Sequence, residues 1–111
     1  EEGMSMRISN IEGSVVKSDD RYTVVDNTSL DRLVVSSTEL LPNKSTSGHS
    51  HDDQEEVYYF VKGGGTMQLG DEVYEVVAGD VILIKGGLFH KVNAHADGCY
   101  FVCVFEGKRK H

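Results

Sequence analysis

Short runs rich in Val, Ile, Tyr and Phe recur along the chain, broken about every eight to twelve residues by clusters of Gly, Asn, Asp and Ser. No stretch repeats its apolar residues with helical spacing. The pattern predicts an all-β fold. Its strands are expected near Ser14–Lys17, Tyr22–Asp26, Leu30–Leu41, Ser47–His51, Glu56–Val61, Thr66–Leu69, Val73–Val76, Val81–Ile84, His90–Ala94 and Cys99–Phe105. So many short strands hide their edges best by closing into a barrel or a double sheet. Gly70-Asp71-Glu72 predicts a hairpin turn. Pro42-Asn43-Lys44 ends the long Leu30 strand, because proline offers no donor to a ladder. Gly79-Asp80 predicts a turn that the Asp80 side chain stabilises. Gly63-Gly64-Gly65 lacks the Gly-Lys-Ser/Thr ending of a phosphate-cradling loop and is expected to be a turn.

Three runs are apolar at successive positions: Val57 to Val61, Val81 to Ile84 and Cys99 to Phe105. A barrel wall facing water should alternate instead. A second copy of the chain is the simplest cover for the outer apolar face, so a homodimer is expected.

At 111 residues the chain has the size of one domain. Residues 1–6 read as leader or appended sequence, with Met4 or Met6 as the native start, and 7–111 as the domain. The net charge of −7 and a pI near 5.1 repel phosphate backbones and anionic headgroups. Neither a nucleic-acid nor a membrane partner is therefore expected. The basic tail Lys108-Arg109-Lys110-His111 reads as a solvated terminus. No apolar stretch approaches the length of a spanning helix. Cys99 and Cys103, four apart in one strand, would stand roughly 13 Å apart and cannot bond to each other. Buried reduced thiols of this kind fit a cytoplasmic compartment. Neither lies in an activating context, and no Gly-x-Ser-x-Gly elbow occurs, which argues against nucleophilic catalysis.

The chemistry concentrates on four residues. His49 and His51 are two apart, so in an extended strand both imidazoles leave the same face. Glu56 opens the next run and His90 follows a Gly-Gly turn. Three imidazoles and a carboxylate suit one divalent transition metal, whether Fe, Mn, Ni, Cu or Zn, and suit Ca or Mg poorly. Burying them with no cation would leave several polar groups unpaired, each costing about 1–3 kcal/mol. His95 and His111 read instead as surface or satisfied histidines. Glu55 should point away from Glu56.

The stretch Gly48-His49-Ser50-His51, four residues, Glu56, six residues, Gly63 resembles the first sequence motif of the cupins. Gly79, five residues, then Lys85-Gly86-Gly87-Leu88-Phe89-His90 with Asn93 resembles the second. The departures are Lys85 in place of a proline, Asn43 in place of an upstream glycine, and Asn93 one residue early. The likeness is to small single-domain cupins of the type 2 kind. It implies a double-stranded β-helix, or jelly-roll barrel, with His49, His51, Glu56 and His90 as the metal ligands.

Four protein ligands leave two adjacent sites on an octahedral ion, and the ion keeps a net positive charge as a Lewis acid. Such a centre suits an enzyme acting on a small oxygenated metabolite, with sugar-type aldose–ketose isomerisation favoured. Glu56 or Tyr58, which shares its strand face, would serve as the base. An Fe-dependent dioxygenase and a non-enzymatic small-molecule binding or sensing barrel are the alternatives. Strand parity turns Tyr58, Phe60, Leu88 and Val92 inward, with Met67, Leu69, Phe101 and Cys103 as further pocket residues that parity does not anchor. That lining is apolar with a single phenol. Only Lys44 or Arg32 could stand near the mouth, which disfavours sugar phosphates.

Overall fold

β-Branched and aromatic residues between turn-formers build seven strands in the computed structural model, which describes residues 11–50 and 53–107. They are β1 (Ser14–Ser18), β2 (Tyr22–Asn27), β3 (Leu33–Leu40), β4 (Glu56–Leu69), β5 (Glu72–Val77), β6 (Val81–Ile84) and β7 (His90–Glu106). All pair antiparallel, in the order β1-β2-β3-β7-β4-β5, with β6 also on β4. The described residues contain no helix. The expected leader residues, His51 and the basic tail lie outside the described residues.

β4 and β7 each unite two runs that the sequence reads as separate strands. The expected turn at Gly63–Gly65 is instead the middle of β4. Its register to β7 slips there, from Gly63↔Cys99 to Gly65↔Ala94, so that residues 95–98 bulge out of β7. Glycine is required on steric grounds. A Cβ on Gly65 would lie 1.9 Å from the Asn93 carbonyl oxygen, and one on Gly63, whose φ is +76°, would lie 2.2 Å from that of Gly98. The two ladders approach too closely at the bend for any side chain. Below the bend β4 carries β6 on its other edge, and above it β5.

Other departures are local. β3 begins at Leu33 rather than Leu30, which is exposed. Of the expected Ser47–His51 strand, the described residues 47–50 keep one isolated bridge, His49↔His90, and a second, Ser45↔Asn93, lies just before it. Gly48 between them has φ +82° and lies against Phe89, which interrupts a ladder. The hairpin turn at Gly70-Asp71 and the stop after β3 fall where turn chemistry puts them. Asp80 Oδ2 accepts a hydrogen bond from the Val77 amide at 2.9 Å, as a turn-stabilising aspartate should.

Every strand except β1 contributes to one core. Phe60 and Leu40 are wholly buried, and Phe101 stacks on Tyr58 with ring centroids 5.1 Å apart. Cys99 and Cys103 are both buried, free thiols of β7. Burial, with a smaller contribution from the Glu39 carboxylate, pushes the Cys99 thiol up from 9.0 to about 11.

Two measurements test this account of the fold. Gly65→Ala should destabilise the protein by more than about 1 kcal/mol in urea, because backbone atoms block the methyl group. Cys99 should resist iodoacetamide at pH 8 until urea unfolds the chain. Its folded pKa lies above the unfolded one, so the stability it adds is full below pH 9 and is lost as pH climbs toward about 11.

Candidate metal centre

Glu56 and His90 are the first residues of β4 and β7, and His49 lies on the segment that bridges to the start of β7. Backbone bonds fix the pairing of the two histidines: His49 N donates to His90 O at 3.1 Å, and His90 N to His49 O at 2.9 Å. Their rings therefore meet edge to face with centroids 4.5 Å apart. Glu56 enters from the neighbouring strand, with His90 Nε2 3.4 Å from its Oε1. Ligand atoms of His49, Glu56 and His90 all lie within 4.8 Å of one another. Glu56 and His90 are buried and His49 is half-buried. His51, the fourth sequence-predicted ligand, lies outside the described residues.

The donor set suits a cation. His90 Nδ1 lies 2.9 Å from the Leu88 carbonyl oxygen, which can only accept, so Nδ1 carries the ring proton. His90 Nε2, Glu56 Oε1 and the second imidazole of His49 thus offer ligand atoms of types that suit a divalent cation, close enough together to hold one. A backbone carbonyl gripping the far nitrogen is also how metal-binding imidazoles are commonly oriented.

The group lines a cavity of about 480 Å³. Tyr58 lines it beside His90, with ring centroids 5.8 Å apart, and Val24, Thr38, Phe101 and Cys103 form the wall. Tyr58, Phe101 and Cys103, expected in the pocket, line the cavity, and the other expected pocket residues do not. Phe60, Met67 and Val92 do face inward, yet they are consumed by the core, and Leu88 packs against that core. None of the four is in the cavity lining.

Lys17 and Tyr22, which the sequence reading missed, stand at the rim with Val16, Thr46 and Ser47. Alternation forbids neighbours from sharing a face, but β1 carries a bulge between Val15 and Lys17 that brings both Val16 and Lys17 to the cavity. No parity count could have found them; recognising a bulge would have required the β1–β2 register. Neither Lys44 nor Arg32 contributes to the cavity lining. Tyr22 Oη lies 3.4 Å from Ser47 Oγ. Burial alone would push the phenol up, but hydrogen bonds from Lys17 and Ser47 and the charges of Lys17 and Arg21 hold it below the usual tyrosine value.

The family model for the cupin domain matches residues 36–105. An uncharacterized protein of Sinorhizobium fredii is 32% identical over 71 residues, covering 60% of this chain and 33% of its own length. One of Methanocaldococcus jannaschii is 43% identical over 44 residues, covering 40% of this chain and 35% of its own length. The chain thus spans about a third of the length of the curated relatives it matches.

Solved structures agree over more of the chain. The polyketide cyclase RemF from Streptomyces resistomycificus superposes with TM-score 0.79 at 26% identity, over 97% of this chain and 83% of its own. An RmlC-like cupin from Shewanella frigidimarina gives 0.79 at 15% identity, over 96% and 95%. KdgF from a Halomonas species gives 0.77 at 14%, over 87% and 88%. These likenesses carry the jelly-roll fold, and the match over residues 36–105, which spans both motifs and the ligand cluster, makes the chain a member of the cupin family.

Proposed function

We propose that this chain holds one divalent transition metal on His49, His51, Glu56 and His90, and is an enzyme that isomerises a small oxygenated metabolite. One observation carries the reading: three ligand-bearing side chains converge within 4.8 Å in the lining of a cavity of about 480 Å³. That volume suits a small molecule. A divalent ion there acts as a Lewis acid on neighbouring substrate oxygens.

The chain's own residues supply the rest. Val24 and Phe101 make an apolar wall that keeps water from the reacting carbon. Tyr58 is held by stacking on Phe101 and by its edge contact with His90, which orients its phenol for proton transfer. Glu56 is the other candidate base. RemF is named as a polyketide cyclase, which supports chemistry on an oxygenated carbon skeleton within this fold.

A second copy of the chain is the proposed cover for the outer face. Val57, Tyr59 and Val61 of β4 are 40–47% exposed, and their ladder partners Leu83 and Val81 of β6 are 73% and 54% exposed. A row of apolar residues this continuous supports a dimer interface. The buried reduced thiols support residence in a reducing compartment such as the cytoplasm.

Turnover of an aldose or hydroxy-ketone substrate should persist under argon with Mn, Zn or Ni; activity that needs Fe and stops without O₂ would replace isomerisation by a dioxygenase. Ligand-dependent melting with no turnover under either condition would leave a binding module. Tyr58→Phe should lower kcat at least about tenfold while leaving metal content unchanged. Light scattering at micromolar concentration should return twice the 12.2 kDa of the chain, and Leu83→Asp should return it to the single-chain mass.

A further inference from the structure

The cavity lining brings together two chemically different groups. One is the ligand cluster, and the other is a cation and two hydroxyls, in a chain whose net charge is −7. We propose that Lys17, Tyr22 and Ser47 form an anion subsite, which takes the carboxylate of a ligand whose opposite end is held at the metal centre. The proposal rests on the metal reading above and narrows the substrate class to small hydroxy- or oxo-acids with a second, distant carboxylate.

Three observations support it. The first is the bulge at Val16, which turns the Lys17 side chain onto the cavity when regular alternation would leave it to solvent. The second is the division of charge at the rim. Arg21 Nη2 is 2.9 Å from Asp19 Oδ2, and the guanidinium holds that carboxyl down at about 2, so this pair is neutral overall. Lys17 has no ion-pair partner among the described residues, and its charge is the one offered to a ligand.

The third observation is the preorganisation of the hydroxyls. Arg21 Nη1 donates to Ser47 Oγ at 3.2 Å, and Ser47 Oγ lies 3.4 Å from Tyr22 Oη. Lys17 Nζ stands 5.3 Å from the Tyr22 ring centroid, and the Arg21 guanidinium 4.8 Å from it. The Tyr22 phenol is thus fixed between two cations, its acidity raised by Lys17 and Ser47, and is a strong donor to an oxyanion. One cation with no carboxylate partner among the described residues, together with two neutral donors, matches a singly charged carboxylate. A phosphate dianion would call for more positive charge.

Lactate, malate, 2-hydroxyglutarate and 2-hydroxyadipate separate the two ends. All four offer the same α-hydroxy-carboxylate chelate, and the last three add a second carboxylate at increasing reach. Calorimetry on Mn-loaded protein should find at least one diacid bound about tenfold or more tighter than lactate, the worth of a charge-assisted hydrogen bond. Lys17→Gln should bring that diacid to within about twofold of lactate and leave metal content and lactate affinity unchanged. Tyr22→Phe should erode the preference in part, and Lys17→Arg should restore it.

Equal binding of all four acids, or a diacid preference that survives Lys17→Gln, would overturn the subsite. Failure of the metal reading looks different: metal content and lactate binding would both be absent. The rim is then read alone, by saturation-transfer NMR of adipate on EDTA-treated protein. Wild type should saturate adipate and Lys17→Gln should not; equal signals would again overturn the proposal.

Discussion

The ladder between β4 and β7 is the interaction on which the rest of the molecule depends. It runs from Glu56↔Phe105 to Leu69↔His90, so the two longest strands carry a ligand residue at their opposite ends. A ladder of that length would lie too straight to curl the sheet around a cavity. The glycines at 63 and 65 let the strands bend at close range, and the residues bulged from β7 absorb the mismatch. Below the bend, where Tyr58 pairs with Cys103 and Phe60 with Phe101, alternation turns all four to the same interior. The site thus follows from strand pairing, which places Glu56 and His90, and from the β3–β4 connection, which brings His49 to them through its bridge to His90.

The polar cluster is costly to bury and gains no stability from the apolar core around it. Two imidazoles and a carboxylate at the mouth of β4 and β7 displace side chains that could have packed as Phe60 and Met67 do further along. A cation held by the three side chains would repay that cost. The same logic accounts for the strong backbone restraint on both histidines: paired amides fix one against the other, and the Leu88 carbonyl fixes the tautomer of His90. Lys17 brings positive charge to the rim, and Val24, Phe101 and Cys103 give the cavity an apolar wall. A ligand that touched both groups would be oriented by both.

Much of this was legible in the sequence, for identifiable reasons. The spacing of Val, Tyr and Phe between turn-formers specified strands, and the two histidine motifs pointed to His49, Glu56 and His90 because ligand type and spacing are local properties. The failures were non-local. Three successive glycines look the same in a turn as in a bend where another strand presses close, and only the approach of Asn93 and Gly98 distinguishes them. Parity told which residues face inward but not which of those line space and which fill it, so Phe60, Met67 and Val92 were assigned to the pocket when they belong to the core. Lys17 was missed because a bulge defeats parity altogether.

The central claim is that the buried histidines and carboxylate exist to hold a metal ion. Elemental analysis of protein purified without chelating resin, wild type beside His90→Ala, tests it most directly. The account predicts about one equivalent of Fe, Mn, Ni, Cu or Zn in the wild type and its loss in the variant. Metal absent from both after reconstitution, or a full equivalent retained by His90→Ala, would contradict it.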